Sequence, residues 1–166
     1  MASFLDPEQR TLVQEIAELL TERGETVCIA DGTSGGLISA ALLSFPGASR
    51  YYAGGAVLYT LKSRIALAGA PAEMFAGYRG TTIEIMEATA NALRQRLEAT
   101  WCIAESGVAG PTGGRSGRAL GTTLISIAGP VNHSEVIETG LDEREANMVE
   151  FATRSLRLLR DAIRNA

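Results

Sequence analysis

The strongest constraint on this chain is a strand that runs straight into glycine. Thr26-Val27-Cys28-Ile29-Ala30 is a short, β-prone apolar run, and Asp31-Gly32-Thr33-Ser34-Gly35-Gly36 follows without a spacer. Behind the glycines, Leu37, Ile38, Ala41 and Leu42 recur at helical spacing. Strand, tight turn and helix make the start of a βα unit, which commits the chain to a sheet with helices packed on it. The device returns at Trp101-Cys102-Ile103-Ala104, a third strand that opens into a glycine-rich loop over residues 107–117.

Periodicity fills in the rest. Asp6 suits an N-cap, Pro7 the first helical position, and Gln9 completes a capping-box pattern. Leu12, Val13, Ile16, Leu19 and Leu20 form one stripe, which Gly24 can close. A second strand is expected over residues 54–59, and a short helix through Arg64 and Leu67 to Gly69. Thr81 and Glu84 suggest another capping box, ahead of Ile83, Met86, Ala90, Leu93 and Leu97 on one helical face. Residues 122–127 and 135–139 read as a hairpin across Gly129-Pro130, and the last helix carries Val149, Ala152, Leu156, Leu159 and Ile163. The fold expected is a three-layer α/β/α sandwich, a mixed sheet covered by helices on both faces. Its site belongs on the loops at the carboxyl ends of the strands.

Composition narrows the function classes. The 166 residues fit one domain, 1–166, without repeat or linker. A net charge of −4 does not suit a nucleic-acid partner. No apolar run approaches the roughly 20 residues of a membrane span, and the first residues lack a signal-peptide pattern, so a cytoplasmic protein is expected. Cys28 and Cys102 lie within apolar runs and read as buried thiols, not a disulfide or a metal pair. The single histidine, His133, sits in a turn-like stretch and reads as solvated, which leaves no metal site and no histidine triad.

The chemistry therefore rests on the two loops. In Asp31-Gly32-Thr33-Ser34-Gly35-Gly36 the glycines permit close backbone approach, and N–H groups at a helix start favour an anion. A plain tight turn explains this loop equally well. In Ser106-Gly107-Val108-Ala109-Gly110-Pro111-Thr112-Gly113-Gly114-Arg115, backbone donors with Thr112 and Arg115 can cradle an oxyanion. The competing reading is a surface loop.

Taken together, the loops bring out a resemblance. Ser106-Gly107-Val108-Ala109-Gly110-Pro111-Thr112-Gly113-Gly114, with Gly121-Thr122, resembles the Ser-Gly-x-Ala-Gly-Pro-x-Gly-Gly…Gly-Thr hallmark of the CinA C-terminal domain family. Ala30-Asp31-Gly32-Thr33-Ser34-Gly35-Gly36 is similar to that family's Ala-Glu-Ser-Cys-Thr-Gly-Gly. Ser49 matches its Gly-x-Ser element, Tyr59-Thr60 its Tyr-Ser/Thr-Asn-x-x-Lys segment, and Gly140 with Arg144 its Gly-Asp-Arg entry to the last helix. The resemblance runs over about residues 7–163 in matching order. It implies hydrolysis of the carboxamide of nicotinamide mononucleotide to nicotinic acid mononucleotide and ammonia. A serine nucleophile, a lysine base and a nearby tyrosine would act with neither metal nor organic cofactor. It also implies a homo-oligomer and a small-molecule partner, a pyridine nucleotide or similar phosphorylated ligand. The binding positions carried over are Asp31, Gly32, Gly35, Gly36, Ser49, Arg64, Ser106, Gly107, Gly110, Thr112, Gly113, Gly114 and Arg144.

Three positions depart from the pattern. The nucleophile falls on Gly32, the asparagine on Leu61 and the lysine on Arg64, which keeps its proton and cannot act as a general base. Thr33 and Ser34 are the remaining loop hydroxyls and, with Tyr59, the catalytic candidates. Lys62 is the one lysine, but two helical positions from Arg64 turn it about 200° away, as an exposed charge. Three readings stand: an amidohydrolase with a displaced nucleophile, a catalytically silent nucleotide- or phosphate-binding module, and a hydrolase using Thr33 on another amide.

Overall fold

Asp6 caps the first helix as the sequence predicts: its carboxylate accepts from the Gln9 N–H at 2.8 Å, and the Gln9 side chain accepts from the Asp6 N–H at 3.3 Å. Helix α1 spans Pro7–Arg23, and Gly24, at φ 64°, ends it. The structure, a computed structural model, describes residues 3–114 and 117–166.

Strands β1 (Val27–Asp31), β2 (Tyr52–Val57), β3 (Trp101–Gly107), β4 (Thr122–Ala128) and β5 (His133–Glu138) form one sheet in the order β2-β1-β3-β4-β5. β1 runs parallel to β2 and β3, whereas β4 pairs antiparallel with both β3 and β5. The sheet is mixed, as expected. Helices α1, α2 (Leu37–Leu43) and α5 (Arg144–Arg164) pack together on one face, and α4 (Ile83–Arg96) covers the other. The short α3 (Leu61–Ser63) runs into a π turn over Arg64–Ala68.

Strand alternation divides the core into two layers of unequal thickness. Val27, Ile29, Trp101, Ile103, Ile125 and Ile127 point towards α1, α2 and α5. Cys28, Ala30, Cys102, Ala104 and Ala128 point towards Met86, Ala90 and Leu93 of α4. Small side chains on that second face let α4 lie close to the sheet. Both cysteines are free and buried, in agreement with the sequence reading. The α1–α5 seam includes a buried bond from Gln9 Nε2 to Thr153 Oγ1 at 2.9 Å and an Arg160–Glu15 ion pair at 3.1 Å.

Several expected boundaries shift. β2 covers residues 52–57 rather than 54–59, because Leu58 turns into the core while its N–H bonds to Asp31 O at 2.6 Å. Tyr59 is thereby left outside the strand. Thr82, not Thr81, caps α4, accepting from the Ile85 N–H at 3.3 Å. Leu97 and Val149 are exposed although they share a helical spacing with core residues, whereas Phe151 is fully buried.

Leu156 has no exposed surface and lies in the thick layer between α5 and the sheet. Leu156→Ala is expected to lower the unfolding free energy by about 2–5 kcal/mol, the usual range for a buried leucine. Urea denaturation of the variant beside the natural protein checks this.

Candidate functional site

Two buried carboxylates shape the first glycine loop. Asp31 and Glu105 end the apolar parts of β1 and β3 and point to the α1, α2 and α5 side. Asp31 accepts from Ser34 Oγ at 2.8 Å, Ser39 Oγ at 2.6 Å, Ile38 N at 3.3 Å and Ser39 N at 3.4 Å. Glu105 accepts from Ser34 N at 2.8 Å and Thr123 Oγ1 at 2.7 Å. The N–H groups of Ser34, Gly35, Leu37, Ile38 and Ser39 are thus used within the chain, by these carboxylates and by the Gly32 and Ser34 carbonyls. This revises the expectation that the loop offers them to a phosphate, and Gly35 and Gly36 lie outside the cleft. Burial pushes the Glu105 carboxyl above its usual value, against its bonds to Ser34 and Thr123, and the neighbouring Asp31 charge adds to the rise.

The glycine at position 32 is required by packing. A Cβ there would lie 2.3 Å from the Glu105 carbonyl oxygen and 3.3 Å from Ser106 Cα. One residue on, Thr33 Oγ1 donates to Gly107 O at 2.9 Å and accepts from Gly107 N at 2.8 Å. That hydroxyl joins the two glycine-rich loops at the floor of a cleft.

The cleft, about 450 Å³, opens at the carboxyl ends of β1 and β3, where the sequence places the site. Gly32, Thr33, Tyr59, Arg64, Ser106, Gly107 and Gly114 all line it. Its other wall comes from Tyr78, Gly80, Thr81 and Arg118, none of which the sequence marks as a site residue. The available signal was Thr81, read there as a helix cap.

Arg64 is the central side chain. It is 5% exposed, and its Nη2 donates to Ser106 Oγ at 2.8 Å, Nη1 to Thr81 Oγ1 at 3.1 Å and Nε to Leu58 O at 3.4 Å. Tyr78 OH bonds the same Thr81 hydroxyl at 2.9 Å. Burial pulls the guanidinium below its ordinary pKa, opposed by Tyr78 and by the charge of Glu105. Among the described residues no carboxylate forms an ion pair with Arg64 or with Arg118. Arg118 donates to Thr81 O at 3.3 Å, and its buried Nε has no hydrogen-bond partner among the described residues.

The remaining sequence candidates scatter. Ser34 is fully buried beneath the loop and outside the cleft lining, so its Asp31-bonded hydroxyl is closed to a ligand. Ser49 is exposed in the turn Ala48–Arg50 that precedes β2, at the strand's other end. Gly110, Thr112 and Gly113 lie outside the lining, and Arg115 lies outside the described residues. Arg144 braces the second loop, with Nη1 donating to Gly110 O at 2.6 Å and Nη2 to Tyr59 OH at 3.4 Å. Asn147, fully buried, supports it through Ala109 O at 3.0 Å. Lys62 is exposed and outside the cleft lining. Among the described residues no cluster of three or more His, Cys, Asp or Glu side chains is placed to hold a metal ion.

Two outcomes follow. Gly32→Ala is expected to cost about 1–3 kcal/mol, in the range of overpacking, and a thermal melt of the variant reads it. Because the folded Glu105 pKa is raised, its favourable contribution is complete below the unfolded value and is lost as pH rises through the folded value. Urea midpoints measured against pH should fall over that window, and Glu105→Gln should remove this component of the slope.

Comparison with known proteins bears on the family and the fold. The model of the CinA C-terminal domain matches residues 9–163. A CinA-like protein of Prochlorococcus marinus (strain AS9601) is 34% identical over 154 residues, 93% of this chain and 36% of that protein. Another, from Acidobacterium capsulatum, is 34% identical over 120 residues, 72% of this chain and 29% of its own length. The chain thus spans about a third of the curated relatives it matches. Among solved structures, a CinA superfamily protein of Klebsiella pneumoniae 700603 has TM-score 0.88 at 21% identity, covering 95% of this chain and 99% of that one. A competence/damage inducible protein of Agrobacterium tumefaciens has TM-score 0.87 at 23% identity, covering 98% and 99%. The sandwich, the paired glycine loops and the matched span together make this chain a member of the CinA C-terminal domain family.

Proposed function

We propose that this chain binds a phosphorylated pyridine nucleotide in the Arg64 cleft without hydrolysing it. The observation that carries the reading is a buried, permanently charged guanidinium, without an ion-pair partner among the described residues, at the position where the family resemblance puts a lysine base. An amide hydrolase of the serine–lysine kind needs a hydroxyl and a group that takes its proton. Gly32 has no hydroxyl and no room for one. Thr33 lines the cleft, but its hydroxyl is committed to both backbone groups of Gly107. Arg64 holds its proton, and Ser34 is sealed under the loop.

The binding half has positive support. A volume of about 450 Å³ suits a small-molecule ligand. Arg64 and Arg118 supply two cations, while Tyr59 and Tyr78 supply aromatic surface. The exposed Tyr59, held by Arg144, stands at the rim.

Ammonia release from nicotinamide mononucleotide, measured with a coupled assay, is expected to stay at the buffer rate, while calorimetry detects binding of the mononucleotide. Arg64→Lys is expected to release none either, since a base without a nucleophile completes no catalytic pair. Turnover by the natural protein would contradict the reading and direct attention to Thr33.

A further inference from the structure

The Arg64 end of the cleft has a chemistry of its own, and we infer that it takes a carboxylate, so that the protein prefers an acid to the corresponding carboxamide. This deepens the proposed nucleotide-binding reading and rests on it. A guanidinium carries five N–H bonds. Three are engaged, by Leu58 O, Thr81 Oγ1 and Ser106 Oγ. Among the described residues the other two have no partner, one on each terminal nitrogen. They belong to a side chain that lines the cleft and is 5% exposed.

Two coplanar donors on neighbouring nitrogens match the two oxygens of a carboxylate. A carboxamide offers one acceptor oxygen and turns two further N–H donors against a site that already has donors to spare. Charge decides in the same direction. A carboxylate offsets the charge of the buried guanidinium, which a neutral carboxamide cannot do. Glu105, the carboxylate whose charge Arg64 feels, cannot fill the role: its two oxygens are bonded to Ser34 and Thr123, on the opposite side of the sheet from Ser106. Arg118, a second guanidinium lining the same cleft, serves the phosphate of the same ligand.

Ser106 and Thr81 act as positioning residues. Their hydroxyls hold the guanidinium plane from either side, and Tyr78 fixes Thr81 in turn. A lysine in place of Arg64 would present a point charge with no plane to hold.

The test is calorimetric titration of the intact protein with nicotinic acid mononucleotide and with nicotinamide mononucleotide. The two ligands differ only at the group in question, so contributions from ribose and phosphate cancel. The acid is expected to bind about tenfold tighter or more, the scale of one charge-assisted pair. Arg64→Gln is expected to abolish the preference, and Arg64→Lys, the safer variant for folding, to reduce it several-fold. Equal affinities for acid and amide in the natural protein would overturn the carboxylate assignment and leave nucleotide binding standing. An unchanged preference in folded Arg64→Gln, or in Arg64→Lys, would also overturn it. Absence of binding by both mononucleotides would remove the nucleotide reading itself, and this inference with it.

Discussion

Two carboxylates taken out of water at the ends of neighbouring strands govern the shape of everything around the cleft. Neither Asp31 nor Glu105 has an ion-pair partner among the described residues. Each is satisfied instead by hydroxyls and backbone N–H groups, several of them from the first glycine loop. A buried carboxylate left without donors is costly, so the loop has little freedom once the strands have formed. Ser34 serves both acids, its N–H bonding Glu105 and its hydroxyl bonding Asp31. Together these two hydrogen bonds draw the loop down onto β3, seat Gly32 against the Glu105 carbonyl and bring Thr33 to Gly107. The floor of the cleft is a by-product of satisfying two acids beneath it.

The sheet also separates charge. Asp31 and Glu105 lie on its thick side beneath α2, and Arg64 on its thin side beside α4 in the π turn. Proton transfer requires acid and base within hydrogen-bond reach of one bound molecule. Here the carboxylates are screened from the cleft by the backbone of β1 and β3, and its polar lining is hydroxyls, glycine backbone and guanidinium. Such a lining suits recognition of charge and shape.

Much of this was legible in the sequence. The strand-to-glycine transitions, the capped first helix, the hairpin and the amphipathic last helix all follow from periodicity and turn chemistry. What escaped was long-range in origin. The glycines of the first loop suggest room for a ligand, yet Gly32 makes room for another strand of the same chain. Thr81 has the credentials of a helix cap, but a buried arginine 17 residues earlier claims its hydroxyl. One clue lay in plain view: Cys28-Ile29-Ala30-Asp31 and Cys102-Ile103-Ala104-Glu105 are the same apolar triplet followed by an acid. The triplets pair residue for residue across β1 and β3. Two acids brought together in that way must find donors, and serine at position 34 supplies them. Arg64 was legible as a substitution, whereas its burial depends on the π turn, which local propensity does not encode.

The contact at Gly32 also bears on how such a chain can change. A side chain at that position meets the backbone of β3, and backbone, unlike a flexible side chain, has no alternative rotamer in which to give way. Any path of single substitutions towards a hydroxyl at position 32 must first move the strand ends apart, and so loosen the acids that Ser34 ties together. The order of the steps is therefore constrained. Changes beneath the loop have to precede changes on it, and a lone substitution at the floor of the cleft meets resistance from the fold before it meets any test of chemistry.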